Sequence, residues 1–389
     1  MSLETLNTHS ISVVFGYLHF KDSIKICYLN KKLYINFIIF CYKFSFVPLN
    51  FNKKEHLCYK NINHKIRSNF DMFTIFADNG TKINSINIFE QIQYVDCINN
   101  VNNLYKIIDF IPIKLKYINF GKHFDIPWDK KLLPDTVESI SFHKKNKFNF
   151  NIHSNNLPKY LKKISFGYMF NKSIDNLPES IEVISFSNNS KFNQIIHKFP
   201  TSLKEISFGD WFNKPLEILP DNVNTIYFSK QSIFNSSIVF PNDLKSIHFG
   251  KEFDQDISCL FLCTNIQSIK LHTCSKFNQP FTVNINKSIK HISFGIKFNN
   301  IINLTQCENL YSLKFHNKSQ YNQVTILPKN IEYLYLGKKF DYDLILPNTI
   351  KILKFPNNSK FSQRLIYDMN NFTGKLILGK LYRQKNKIL

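Results

Sequence analysis

The residues best suited to bind a metal are a group of cysteines and one histidine in the second half of the chain. Cys259, Cys263, His272 and Cys274 carry the thiol and imidazole groups that hold zinc in many proteins. None of the eight cysteines forms a Cys-x-x-Cys pair, and Cys263 stands where related segments carry proline. The sequence therefore predicts no metal site and no cofactor. The cysteines are expected to be reduced thiols.

Motifs of the common catalytic sites are missing from the sequence. It contains no glycine-rich phosphate loop, no nucleophile elbow and no His-Glu-x-x-His zinc motif. Lone histidines such as His153 and His197 are interpreted as solvated side chains. We therefore expect a protein that binds other macromolecules and is not an enzyme.

One short phrase recurs twelve times between Leu115 and Ser362. Each copy has an apolar residue, two variable positions, Ile or Leu, one variable position and Phe or Leu, followed by a turn that ends in Phe-Asn. The copies lie 19 to 24 residues apart, a period typical of a solenoid whose units bury their apolar faces against one another. The alternation in Ile-x-Phe predicts one short strand per unit, stacked in parallel.

The length of the turn alternates along the repeats. Strand Phe and turn Phe are four residues apart in one unit, as in Phe208 and Phe212, and six apart in the next, as in Phe228 and Phe234. Glycine follows the strand anchor in every short unit, for example Gly209, where we expect a turn with positive φ. The Asn or Asp after the turn aromatic is expected to cap backbone N–H groups at the corner.

The formal net charge is +22, from 50 Lys and Arg against 28 Asp and Glu. Such a charge attracts nucleic acid, anionic lipid or an acidic protein. The lysines, however, occur singly or in pairs with no run of five. This scatter also fits an AT-rich coding bias that places lysine at solvated positions.

The repeats resemble the FNIP repeat family, which the segment FNKPLEILPDNVNTIYF at residues 212–228 illustrates. The similarity covers roughly residues 115–380. FNIP repeats are similar to leucine-rich repeats, so the resemblance implies a curved solenoid with a parallel sheet on its concave side. Ser and other small residues fill the position between the strand anchors in the N-terminal half. In the C-terminal half, six larger residues form a candidate partner-binding patch: Tyr227, His248, Lys270, Lys314, Tyr335 and Lys354.

The N-terminal segment LNTHSISVVFGYLHFKDSIKICYLNKKLY, residues 6–34, is similar to an F-box. Its apolar residues lie at helical spacings. The resemblance implies docking on a Skp-type adaptor of a cullin ubiquitin ligase, through Leu6, Ile11, Val14 and Leu18. Two alternatives remain: a plain interaction scaffold without a ligase link, whose N-terminal helices only cap the array, or a protein that binds nucleic acid on a basic concave face.

The sequence thus predicts an α+β protein in three parts: a helical F-box-like domain at 1–48, a connector with degenerate repeats at 49–103, and an FNIP solenoid at 104–389. We expect a substrate adaptor that holds an unidentified target protein, with nucleic acid as the least favoured partner. The sequence has no signal peptide and no membrane span. A cytoplasmic location is expected, or the cytoplasm or nucleus of the host for a viral chain.

Overall fold

The computed structural model describes residues 115–379, apart from 123, 126, 129, 130, 132, 283–286 and 369, and the backbone of three short strands nearer the N-terminus. By contacts within the chain, residues up to Leu161 form one unit and residues from Lys162 onward form a second. The segments predicted as F-box and as connector lie outside the described residues, except for the three short strands.

The first unit contains five strands: β1 (His64–Ile66), β2 (Met72–Ile75), β3 (Tyr94–Ile98), β4 (Tyr117–Phe120) and β5 (Ser139–Phe142). β1 and β2 are antiparallel, whereas β2, β3, β4 and β5 pair in parallel in chain order. Ile118 aligns with Ile140 and Phe120 with Phe142. Equivalent anchors of successive repeats therefore lie side by side.

The second unit contains fifteen strands. They are β6 (Lys163–Phe166), β7 (Val183–Phe186), β8 (Glu205–Phe208), β9 (Thr225–Phe228), β10 (Ser246–Phe249), β11 (Ser268–Leu271), β12 (Phe281–Thr282), β13 (His291–Phe294), β14 (Ile302–Asn303), β15 (Ser312–Phe315), β16 (Tyr333–Tyr335), β17 (Leu344–Ile345), β18 (Ile352–Lys354), β19 (Leu365–Ile366) and β20 (Lys375–Ile377). One strand per repeat joins a parallel sheet in the order β6-β7-β8-β9-β10-β11-β13-β15-β16-β18-β20. The pairs β12–β14 and β17–β19 form two small parallel sheets in the return segments.

The predicted α+β class is wrong for the described part of the chain, which is almost all β. It contains no α-helix, and its only helical pieces are 3-10 turns at Ser154–Asn156 and Ser258–Leu262. The reason is the short repeat. A strand, a turn and an extended return segment with a Leu-Pro corner use up about 20 residues, which leaves no room for a helix of normal length. The helices predicted at 1–48 lie outside the described residues.

The phenylalanines of strand and turn form two adjoining stacks inside the second unit. Within one coil the rings of Phe208 and Phe212 are 4.0 Å apart. Between coils, Phe208 and Phe228 are 5.5 Å apart and Phe212 and Phe234 are 6.0 Å apart, all near parallel. Phe212 and Phe228 are fully buried. Each stacked pair adds about 0.5–1.5 kcal/mol beyond the burial of apolar area.

Glycine in the short turns is required by close approach and not by positive φ, which corrects the sequence-based explanation. A Cβ on Gly209 would lie 2.5 Å from the carbonyl oxygen of Ser187 and 2.7 Å from Cβ of Ser190, both in the preceding long turn. Ser190 is fully buried, and its Oγ accepts a hydrogen bond from the N–H of Phe192 at 3.2 Å. The long turn thus fills the space into which the next short turn folds.

The same contact recurs along the second unit. Gly250 lies against Ser232, Gly337 against Ser319 and, less tightly, Gly295 against Ser275. Each serine caps the turn aromatic two residues later: Ser232 caps Phe234, Ser275 caps Phe277 and Ser319 caps Tyr321. The alternation of turns therefore has a packing cause, because a buried serine of one coil faces a glycine of the next.

The Asn or Asp after the turn aromatic links successive coils. The side-chain oxygen of Asn193 accepts the backbone N–H of Asn213 at 2.9 Å, and Asn213 accepts that of Asn235 at 2.8 Å. The same bond joins Asn193 to Asn171 and recurs through Asp254, Asn278, Asn299, Asn322 and Asp341 to Ser362. The predicted capping of backbone N–H groups is confirmed, but the capped group belongs to the following coil.

The first prediction concerns this asparagine ladder. Asn193→Leu removes the acceptor of the Asn213 N–H and should lower the free energy of unfolding by about 1–2 kcal/mol. Asn193→Asp keeps an accepting oxygen, as Asp254 and Asp341 do at the same position, and should be close to neutral. Chemical denaturation of the two variants measures both values. Equal losses would show that the acceptor is not what the position requires.

The second prediction concerns the short turn. Gly209→Ala places a methyl group within 3 Å of three atoms of the preceding coil and should lower the free energy of unfolding by about 1–3 kcal/mol. Ser187→Ala changes the same position of a long-turn coil and should stay within about 0.5 kcal/mol of the wild type. A thermal or denaturant titration that found Gly209→Ala neutral would contradict the packing explanation.

Candidate functional site

One face of each strand in the second unit points to the interior and the other is open to solvent. In β8, for example, Ile206 and Phe208 are buried while Glu205 is exposed. Side chains on the open side fall into columns because equivalent residues of neighbouring strands are in register. We call this open side the sheet face.

The structure brings the six predicted patch residues into a single column of the sheet face. Tyr227 aligns with His248 and His248 with Lys270; Lys270 aligns with Ser293 and Ser293 with Lys314. Lys314 then aligns with Tyr335, and Tyr335 with Lys354. We call these seven residues, from β9 to β18, the basic strip. At about 4.8 Å per strand it extends over about 29 Å.

The three lysines of the basic strip are exposed and carry the strip's charge. Within the described residues, none of Lys270, Lys314 and Lys354 forms an ion pair, and no acidic residue occupies the column from β9 to β18. Lys314 Nζ lies 5.1 Å from the centre of the Tyr335 ring, a cation–π contact. The strip therefore presents positive charge that no carboxylate of the described chain neutralises.

Some lysines away from the strip are ion-paired. Lys198 lies 2.6 Å from Glu179, Lys204 lies 2.9 Å from Glu182, and Lys351 lies 2.8 Å from Glu332. Exposed pairs of this kind contribute little to stability. Most of the other described lysines, such as Lys214 and Lys329, form no ion pair either, so the three strip lysines are distinguished by their alignment in one column of the sheet face.

His248 is the titratable residue of the strip most affected by its surroundings. Its ring packs edge-on against Tyr227 with the ring centres 4.8 Å apart. Burial, and to a smaller extent the charges of Lys270, His272 and Lys230, lower the pKa of His248 to about 4. The imidazole is therefore neutral at pH 7 and has one N–H donor and one acceptor nitrogen.

Histidines on either side of the strip complete the site, and the sequence analysis did not select them. His272 and His316 directly follow the strands that carry Lys270 and Lys314, and His291 lies in the neighbouring column on β13. Burial, followed by nearby lysine charges, lowers the pKa of each histidine. Period-two alternation places His291 and His272 on the same side of the sheet as the strip residues, a signal that could have identified them.

Tyrosines flank the strip near its C-terminal end. Tyr311 lies 5.6 Å from His291 and 4.9 Å from Tyr333, measured between ring centres. A hydrogen bond with Tyr333 raises the pKa of Tyr311 to about 12. The neighbouring column therefore adds aromatic surface and hydroxyl groups beside the lysines.

In the N-terminal half of the sheet face the position between the strand anchors holds serines, such as Ser165 and Ser185, in place of lysines and aromatic residues. Oγ of Ser165 and Oγ of Ser185 share a hydrogen bond of 2.5 Å across adjacent strands. The two hydroxyl groups thus satisfy each other's hydrogen-bonding capacity, in agreement with a structural role for these small residues in the sheet. The F-box residues Leu6, Ile11, Val14 and Leu18 lie outside the described residues.

The cysteine group is not assembled as a metal centre. Cys263 is buried in the coil interior, whereas Cys259 and Cys274 are exposed. Burial raises the pKa of Cys263 to about 11, which keeps it protonated. No cluster of three or more potential metal ligands occurs among the described residues. Within that same part of the chain, no helix combines the length and apolar composition needed to cross a membrane.

The third prediction follows from the lowered pKa of His248. Between pH 6.5 and 4 the unfolded chain binds a proton that the folded chain does not, so the free energy of unfolding falls as the pH falls. After allowance for partial exposure of the ring, His248 should account for about 1–2 kcal/mol of this loss. Denaturation of wild type and His248→Gln at several pH values should show a shallower slope in the variant above pH 4.5. Parallel curves would contradict the assignment.

The FNIP Repeat family model matches residues 106–145, 148–189, 192–231 and 321–358, so the chain contains FNIP repeats. The unmatched segment between 231 and 321 continues the same sheet through β10, β11, β13 and β15. No curated protein matches the chain.

Among solved structures, the chain is similar to CroV588, described as a novel circular LRR protein, with 28% identity and a TM-score of 0.60. The match covers 74% of this chain and 44% of that one, so the chain spans less than half the length of this relative. A leucine-rich repeat protein from Bacteroides ovatus matches with 14% identity over 82% of this chain and 89% of its own, at a TM-score of 0.27. YopM from Yersinia enterocolitica matches with 10% identity over 86% of this chain and 76% of its own, at a TM-score of 0.31. Only the first superposition supports a common fold, that of a leucine-rich-repeat-like solenoid.

Proposed function

We propose that this chain is a non-catalytic recognition protein that binds a partner protein on the basic strip. The observation that carries the proposal is the column of exposed lysines, with no carboxylate partner in the described chain, on a regular parallel sheet. Repeat solenoids offer extended surfaces of this kind for protein–protein interaction. Aromatic residues beside the charges add area that can be buried on binding.

Rigidity of the underlying sheet supports this proposal. Each strip residue stands between two buried anchors, as Lys270 does between Ile269 and Leu271. The backbone of the strip is therefore fixed before a partner arrives, which lowers the entropic cost of association. Charge interactions raise specificity and the association rate more than they raise affinity. Contacts to the tyrosines, from which water is excluded, would therefore supply much of the affinity.

The fourth prediction tests the strip as an interface. A variant with Lys270→Glu, Lys314→Glu and Lys354→Glu should lose its partner, by about tenfold or more in affinity. The control variant Lys214→Glu, Lys329→Glu and Lys360→Glu has the same change in charge at positions outside the strands and should keep the partner. Proximity labelling in cells that express the three proteins measures the outcome. Equal loss of the partner in both variants would indicate only a general effect of charge. No loss of the partner in either variant would reject the strip as the interface.

The finer proposal is that the captured protein is a target for ubiquitin transfer. It rests on the resemblance of residues 6–34 to an F-box together with the presence of FNIP repeats. In this proposal Leu6, Ile11, Val14 and Leu18 contact a Skp-type adaptor, and other subunits of a cullin ligase perform the chemistry in the cytoplasm. A plain interaction scaffold is the alternative.

The fifth prediction separates ligase adaptor from scaffold. A Skp-type adaptor should co-purify with the wild type and be lost when Leu6→Asp and Val14→Asp are combined, because a buried carboxylate opposes packing of an apolar interface. Binding of the target to the strip should survive these changes. If the adaptor never co-purifies while the target does, the chain is a scaffold. Salt-sensitive binding of DNA or RNA that the strip variant abolishes would favour a nucleic-acid partner instead.

A further inference from the structure

The lysines of the basic strip have a regular spacing that the alternation of turns creates. Lys270, Lys314 and Lys354 all belong to long-turn coils, on β11, β15 and β18. One short-turn coil separates each from the next and contributes Ser293 or Tyr335. Two strand spacings of about 4.8 Å make about 9.6 Å, so the three lysines recur at about 9.6 Å along the strip.

This spacing restricts the backbone conformation of an acidic ligand that meets all three lysines at once. In a polyproline II segment, every third residue returns to the same side after about 9.3 Å. In a β-strand, same-side residues lie about 6.7 Å or 13 Å apart. In an α-helix, residues seven apart lie about 10.5 Å apart, which accumulates a mismatch of nearly 2 Å over two intervals. Polyproline II accumulates about 0.6 Å and fits best.

The polar groups beside the lysines favour the same conformation. A polyproline II backbone has no internal hydrogen bonds, so its carbonyl oxygens remain available as acceptors. The strip and its margins present donors: the hydroxyl of Tyr335, and the N–H groups of His248 and His316, whose lowered pKa favours the neutral ring with one donor. A helix already uses its carbonyl oxygens internally and would offer these donors no backbone acceptors.

We infer that the basic strip binds an extended, proline-rich acidic segment with a carboxylate at every third position, lying across the strands. The carboxylates pair with Lys270, Lys314 and Lys354. A proline ring between the last two carboxylates packs on Tyr335, and one beyond the first carboxylate packs on Tyr227. This inference rests on the proposed function, since it names the chemistry of the partner at the same site.

The test uses two labelled peptides of equal composition and the full chain. One repeats Glu-Pro-Pro, with a carboxylate at every third position, and the other groups the same glutamates at one end. Fluorescence polarisation at low salt should show at least tenfold tighter binding of the periodic peptide. That preference should disappear in the Lys314→Gln variant, which breaks the middle contact, and persist in Lys329→Gln, which lies outside the strands.

Two outcomes would overturn the inference. Equal affinity for both peptides would mean that the strip responds to total charge and not to spacing. Tighter binding of a single-stranded oligonucleotide than of the periodic peptide would assign the strip to nucleic acid. If the cellular partner is still lost on reversal of the strip charges while the two peptides bind equally, the proposed function stands and only the spacing inference fails.

Discussion

No coil of this solenoid can satisfy its own interior, and the rest of the structure depends on that constraint. The turn aromatic of each coil stacks on those of the coils before and after it, and the Asn side chain beside it accepts a backbone N–H from the following coil. A four-residue strand with one turn has too little apolar surface to fold alone. Stacking in strict register buries the rings and pairs the buried backbone groups.

Strict register has consequences on the outside of the sheet. Because neighbouring strands align residue by residue, any position of the repeat becomes a straight column, and a pattern in sequence becomes a pattern in space. Long and short turns must alternate, since the buried Ser of one coil occupies the space beside the Gly of the next. The same two-coil period is seen on the surface, where the strip lysines occupy every second strand. Packing inside the solenoid thus sets the spacing of charge on its surface.

The return segments show a second consequence of stacking. β17 and β19 pair Leu344 with Leu365 and Ile345 with Ile366, which leaves Ile345 exposed on the far side of the coil. The repeat sequence predicts an irregular return segment at these positions, because two-residue strands are too short to produce a periodic pattern of apolar residues. Backbone pairing in these segments follows from the alignment of the main sheet and has no separate signal in the sequence.

Much of the fold and part of the candidate site were predictable from the repeat. The parallel strands, their positions, the buried Phe anchors and the alignment of Tyr227, His248, Lys270, Lys314, Tyr335 and Lys354 follow from the period and its two-residue alternation. The α+β class was not correct for the described residues, because its helices were expected only at residues 1–48 and the coils themselves have no room for helices. The reason for Gly209 was also wrong, since the atoms that exclude a Cβ belong to another coil.

The sequence by itself determined which residues face inward, how many coils repeat and where the turns change length, because these depend on spacing along the chain. Tertiary structure alone decided which coil receives each asparagine hydrogen bond, which serine meets each glycine and which lysines remain without a carboxylate partner. The asparagine bonds and the serine–glycine contacts join residues about 20 positions apart. They exist only once the coils stack, and no local pattern of residue types encodes them.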